Sequence, residues 1–415
     1  MRELEFQMSR PEFARDIVTR GRDMGENVAC SARLIAAWED GTVRCPQPPY
    51  RRILTDMTGR SMMELGFRVP TAPSAGGDAE MERRDFVFDG VALVLPKGVD
   101  LERAPGRVGA REIRTISKAV HEIYSHDHDH GSASLRRAAA DALHTAYRWL
   151  QDGTYTQRTG QKLRSAAGFL SIAAGWLSYD SGRSADARSL YGEALAAARI
   201  ADDAGLEAHA FGCLSLLAKA SGRPREAISA AQGAQTVARN LESPRMLALF
   251  HMREASGWAL MGDRSAVDRA VVRAHNYYAH GSREMDPDWL EFFTPAELAG
   301  LESLCRADLG QHDRAAAGAE QAVLLHGEGF ARNRALYTAD VAIQQAVRDR
   351  PEPEAAAEAA GLVLAFIPEV KSDRLLKALH DVAGALQRHS RVPAVAHWLE
   401  QYRTTTGCTP KRSEA

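Results

Sequence analysis

Apolar and small residues recur along this chain on a helical period, and one arrangement of them returns about every forty residues. In Gly175 to Leu195 (GWLSYDSGRSADARSLYGEAL) two amphipathic segments meet at Gly182. Trp176 and Tyr179 on the first segment face Ala187, Tyr191 and Ala194 on the second, which lie five, nine and twelve residues beyond the glycine. The same steps from Gly222 reach Ala227, Ala231 and Ala234, and from Gly262 they reach Val267, Val271 and Ala274. From Gly310 they reach Ala315, Ala319 and Ala322. Weaker copies start at Arg350 (Ala355, Ala359, Leu362) and Ser390 (Val395, Leu399, Tyr402), so the anchors are spaced 40, 40, 48, 40 and 40 residues apart. A single helix pair cannot cover its own apolar face, whereas stacked pairs bury it between them. The pattern therefore predicts an array of helical hairpins over most of the chain. The longer interval holds a charged insertion, Gly281 to Pro295, expected as a loop on one face of the array.

Upstream, Ser9-Arg10-Pro11-Glu12 is a capping box with proline in the first turn, and it opens a helix to about Arg20 with Phe13, Ala14 and Ile17 inward. Ser31 is placed to cap a second helix that carries Ile35 and Trp38 inward, has Leu34 at the edge, and stops at Gly41. A third, Tyr50 to Met57, turns Ile53 and Leu54 inward and Arg51 and Arg52 outward. Thr71 to Asp78, with its proline, serine and glycines, is a flexible linker. Asp85 to Leu95 suits a short strand or hairpin, or an apolar arm. Helical spacing resumes from Ala110 to Tyr124 and again from Ser134 to Leu150. Between these two, His126-Asp127-His128-Asp129-His130-Gly131 alternates metal-ligand types. So local a cluster, without a distant further ligand, is expected as a solvated inter-helix loop, and no metal site is assigned.

Composition narrows the picture. The 415 residues carry a formal net charge of -2, which gives no whole-chain signal for nucleic acid or membrane. Five dispersed cysteines without a CxxC argue against a disulfide framework or zinc ribbon and for a cytoplasmic location. The N-terminus lacks an apolar core of signal-peptide length, and no apolar run is long enough to span a membrane. Arg83-Arg84-Asp85-Phe86 imitates a twin-arginine export signal, but it lies deep in the chain and Asp89 interrupts its apolar run. Arginine and alanine abundance points to a high-GC bacterial genome. There is no P-loop, GxSxG, HExxH or glycine-rich strand-turn-helix, so neither an enzyme nor a cofactor is expected.

The first residues resemble the Cro/repressor-type (XRE-like) helix-turn-helix family. The resemblance rests on Met8-Ser9, Phe13-Ala14, Ser31, Ile35, Trp38-Glu39-Asp40-Gly41 and Pro46, followed by Glu64-Leu65-Gly66-Phe67. In such domains the second motif helix enters the major groove. The resemblance implies base-edge positions at Ser31, Ala32, Arg33, Ala36 and Ala37, and phosphate contacts from Arg44, Arg51 and Arg52. The hairpins from Leu163 to Arg403 resemble tetratricopeptide repeats in a longer variant. There the first helix of each unit lines an extended concave binding surface. That implies a ligand groove with Tyr179, His209, Lys219 and Arg253, whereas Trp176 and Met252 are expected in the core.

The expected fold is all-α: a small helix-turn-helix domain over 1–69, a linker with candidate short strands over 70–109, and a TPR-like right-handed α-solenoid over 110–410. Together the parts resemble bacterial transcriptional regulators. This implies double-stranded DNA, a peptide, small-molecule or protein ligand, and a second copy of the chain as partners. A second reading stays open. Arg33 is the one strong hydrogen-bonding side chain among alanines on the reading helix, and residues 1–68 carry a net charge of only +1. On that reading the protein is a TPR interaction scaffold whose N-terminal domain no longer binds DNA.

Overall fold

All regular structure among the described residues of the computed structural model is helical: seventeen α-helices, one short 3-10 turn, and no strand beyond an isolated bridge between Arg107 and Thr154. The described residues are 8–24, 28–40, 46, 48–58, 60, 62, 65–67, 106–130, 135–326, 331–367 and 372–406. Of the expected linker, 70–109, residues 70–105 lie outside them, the candidate strand included. The chain divides into two compact units: Met1–Arg84 with Ser243–Arg245 and Tyr278–Asp286, and the remainder.

In the first unit, α1 (Arg10–Asp23), α2 (Ala32–Glu39) and α3 (Pro48–Thr58) surround one core. The capping box forms as the sequence predicts: the Ser9 hydroxyl and N–H donate to the Glu12 carboxylate at 2.5 and 2.8 Å, and these bonds hold that carboxyl below its ordinary pKa. Phe13, Ile17, Ile35, Ile53 and Leu54 are buried, and Trp38 packs edge-on against Tyr50 and Phe67 at centroid distances of 5.4 and 6.2 Å. The Tyr50 hydroxyl donates to the Ala29 carbonyl at 2.8 Å, tying α3 to the segment that leads into α2.

The second unit starts with α4 (Ala110–His130) and α5 (Arg136–Asp152). The predicted loop at His126 to Gly131 is corrected here: α4 continues through His130, since nothing in that polar stretch breaks a helix before Gly131. Six helix pairs follow. They are α6 (Gln157–Asp180) with α7 (Ser184–Ala201), α8 (Ala204–Ala220) with α9 (Pro224–Ala238), and α10 (Pro244–Leu260) with α11 (Arg264–Tyr278). After the 3-10 turn Asp288–Leu290 come α12 (Pro295–Asp308) with α13 (His312–Leu325), α14 (Ala331–Val347) with α15 (Pro353–Phe366), and α16 (Asp373–Gln387) with α17 (Pro393–Thr406).

Four of the six turns share one geometry. Gly182, Gly222, Gly262 and Gly310 have φ of 70, 67, 74 and 69°, a left-handed region that costs other residues. At each, the glycine N–H and the N–H that follows bond back to the helix end, as in Gly182 to Tyr179 (3.1 Å) and Arg183 to Ser178 (2.8 Å). This is a Schellman ending, and it sets a constant exit angle for the second helix. The inward residues counted from these glycines are almost fully buried in every case.

The fifth pair departs from the expected register. Ala355 and Ala359 are only half-buried and Leu362 is 59% exposed, while Ala356, Ala360 and Val363 form the core. Lacking a glycine, this turn runs through Arg348–Glu352 and closes with Glu352 N–H on the Gln345 carbonyl at 2.9 Å. This turn has five residues between its helices against three at the glycine turns, and the inward positions are those counted from Pro351 in place of Arg350. The sixth pair returns to the expected phase, with Val395, Leu399 and Tyr402 buried.

Small residues let the helices approach closely. A Cβ added at Gly175 would lie 2.6 Å from the Tyr191 ring, so the large residue of α7 occupies the space the glycine leaves on α6. The late helices also return to the early ones. α14 packs against α4, and Asp180, fully buried at the end of α6, accepts from the Ser372 hydroxyl at 3.1 Å. Arg332 and Arg374 reach the same carboxylate at 3.8 and 3.6 Å.

Candidate functional site

The first helix of each pair, α6 to α16, contributes to one cavity of about 300 Å³ inside the second unit. One wall is aromatic. Trp176 and Tyr179 lie against each other at 5.7 Å, and the Arg374 guanidinium stands 5.7 and 5.1 Å from their ring centroids. Arg332 covers Trp176 from another side at 5.4 Å. Opposite, His209 of α8 stacks flat on Trp289 from the 3-10 turn, with centroids 3.7 Å apart. The insertion between the third and fourth pairs thus delivers an aromatic wall to the cavity as well as a loop.

The cavity's charges are unevenly satisfied. Burial alone would lower the Lys219 pKa, but Asp308 at 3.0 Å overrides it and keeps the ammonium charged. Burial raises the Glu297 carboxyl despite the nearby Arg253 and hydrogen bonds from Tyr337 and Asn333, the latter at 3.1 Å. Burial also raises Asp340 to about 7. His209 is lowered to about 3, by burial first and the Arg253 charge second, so its imidazole is neutral at physiological pH. The His209 Nδ1 and Trp289 Nε1 atoms are buried and find no hydrogen-bond partner among the described residues.

Tyr179, His209, Lys219 and Arg253, chosen from sequence as groove residues, all line this cavity. Of the two residues expected in the core, Met252 is fully buried, while Trp176 is half-buried and lines the cavity. Trp289, Glu297, Arg332 and Arg374 were missed. Trp289 had a sequence signal, the aromatic-rich stretch in the one 48-residue interval. The others are single polar residues on helices whose inner face the spacing alone does not mark.

The positions chosen for nucleic-acid contact lie on two helices of the first unit. Ser31 caps α2, its Oγ accepting from the Leu34 N–H at 3.2 Å. Arg33 is exposed, Ala32 and Ala36 are half-buried, and Ala37 is helical. On α3, Arg52 is exposed; Arg51 is half-buried, with its Nε buried and unbonded among the described residues. Arg44 lies outside the described residues. No group of three or more metal-ligand side chains is assembled among the described residues, and the His126 to His130 side chains are outside that description. No helix among them is long and apolar enough to cross a membrane.

Compared with protein-family models and with curated proteins, the chain matches none.

Proposed function

We propose that this protein is a cytoplasmic, ligand-responsive transcriptional regulator. A helix-turn-helix formed by α1 and α2 binds double-stranded DNA as a homodimer, and a TPR-like right-handed solenoid carries the effector site. The observation that carries the reading is a cavity to which the first helix of each pair, from α6 to α16, brings a side chain. A ligand there touches residues nearly 200 positions apart in sequence, so its binding energy depends on how the hairpins are disposed. A ligand that prefers one disposition shifts the population toward it. The cavity lies at the lower end of the range for small-molecule sites, roughly 300–1,000 Å³. That favours a small molecule or a short peptide over a folded protein partner.

On α2, the capped N-terminus and the exposed Arg33 suit major-groove entry, where one arginine on a guanine contributes about 1–3 kcal/mol of discrimination. Two half-sites about one helical turn apart are expected for a two-fold dimer. The scaffold reading is favoured by the half-buried Ala32 and Ala36, which leave Arg33 as the only charged side chain at the start of α2. Salt-dependent binding of full-length protein to genomic fragments decides between them. The regulator reading requires enriched fragments whose advantage over bulk DNA falls at least fivefold in Arg33→Ala. Equal retention of all fragments by both proteins supports the scaffold.

A further inference from the structure

We propose that the cavity binds the carboxylate of a small apolar acid, held by Arg253, Trp289 and His209. This rests on the effector-site reading above and names the chemistry of the effector.

Several cationic groups in the cavity are already committed to carboxylates. Lys219 is paired with Asp308 at 3.0 Å, and Arg332 and Arg374 both face the Asp180 carboxylate. Arg253 makes no ion pair and no hydrogen bond among the described residues. Its charge is nonetheless felt by His209, Cys213, Tyr191, Tyr337 and Glu297, which places it centrally among them. In the same cavity wall as His209, the Trp289 indole N–H can only donate, and the neutral His209 imidazole can donate from Nδ1. His209 is 7% exposed, and neither atom has a partner among the described residues. Leaving such groups buried and unbonded is costly unless something supplies the missing acceptor.

A carboxylate does so. Its two oxygens can take a guanidinium and two further N–H groups, and the single charge of Arg253 balances one negative charge. The Glu297 carboxyl, which also lines the cavity, accepts from Asn333 at 3.1 Å and is raised by burial above the ordinary carboxylate range. The rest of the ligand meets Trp176, Tyr179, Phe250 and Ile172, surfaces suited to an aromatic or short-chain apolar body. At about 300 Å³ the cavity admits a free acid or the last residues of a short peptide.

The test uses full-length protein and matched pairs of probes: phenylacetate, hexanoate, indole-3-acetate and N-acetyl-tryptophan, and the tripeptides Gly-Gly-Phe and Gly-Gly-Trp, each with its C-terminal or carboxyl group as acid and as neutral amide. Calorimetry gives affinities, and the indole N–H resonance of Trp289, assigned with Trp289→Phe, reports the site. The proposal requires at least one acid to bind tenfold or more tightly than its amide and to move that resonance downfield. The preference must fall below threefold in Arg253→Gln and return in part in Arg253→Lys, with Trp289→Phe weakening the acid at least threefold. Tighter binding of the free acids marks a metabolite, and tighter binding of the peptides marks a chain terminus; both support the carboxylate site. Amides that bind as well as acids and move the Trp289 resonance overturn the carboxylate assignment while leaving the effector site standing. A panel in which no acid surpasses its amide and no resonance moves overturns the assignment, and the DNA-fragment experiment then judges the regulator reading separately.

Discussion

Replacing Asp180 by alanine should loosen the contact between the end of α6 and the start of α16. Asp180 has no exposed surface and is the meeting point of the Ser372 hydroxyl at 3.1 Å and of Arg332 and Arg374. Arg332 is itself only 2% exposed, so Asp180→Ala removes a counter-charge from a guanidinium that water cannot easily reach. Breaking a buried pair in this way costs about 3–5 kcal/mol. The nitrogen–oxygen distances of 3.6 and 3.8 Å are those of ion pairs rather than hydrogen bonds, which points to the lower end of that range. Loss of the Ser372 hydrogen bond adds about 1 kcal/mol. Amide hydrogen exchange in α16 reads the effect locally. A loss of about 3 kcal/mol corresponds to exchange faster by about two orders of magnitude. Asp180→Asn, which can still accept from Ser372, should fall between the two. An alanine variant whose α16 amides exchange within threefold of the parent would refute the claim that this buried carboxylate ties the late helices to the early ones.

Adding one methyl at Gly175 drives a Cβ to 2.6 Å from the fully buried Tyr191 ring, so Gly175→Ala should cost about 1–3 kcal/mol in urea unfolding; an unchanged midpoint would show that the two helices can part freely. Glu254 provides the pH test. Burial alone would raise its carboxyl, but hydrogen bonds from His251, Gln235, Gln232 and Trp258 hold it at about 2 against an ordinary 4.5. A depressed folded pKa contributes stability that is present above pH 4.5 and lost as pH falls toward 2, here about 3 kcal/mol. The acid limb of stability against pH should therefore be shallower in Glu254→Gln by about that amount, and parallel limbs would contradict the hydrogen-bond assignment. Ser31→Ala should destabilise α2 by about 1 kcal/mol, read as lower helicity and a lower melting temperature of the first unit's transition.

The hairpins were legible because their turns are chemically constrained. A glycine at positive φ fixes the phase of the helix after it, so counting five, nine and twelve residues from Gly182, Gly222, Gly262 and Gly310 lands on buried positions every time. Counting failed where that constraint is missing: around Arg350 the turn has five residues in place of three, and every inward position lies one residue later than counted. The helix start at Ser31 was equally legible, since capping is a local interaction over three residues. The cavity was legible only in part. Tyr179, His209, Lys219 and Arg253 were chosen from their place on first helices, but their pairings are set by contacts between distant helices. The Lys219–Asp308 and Asp180–Ser372 pairs leave no trace in local spacing. Trp176 looked like a core residue because its neighbours on α6 are apolar, yet the two arginines that cover it come from α14 and α16.

Whether occupancy of the cavity is reported to DNA through the first unit is read by genome-wide DNA enrichment with the tagged full-length protein, run beside Arg33→Ala and beside Arg253→Gln. The expected result is a small set of sites built from paired half-sites, lost in Arg33→Ala and altered in occupancy in Arg253→Gln. Enrichment indistinguishable from bulk DNA in all three proteins would contradict it.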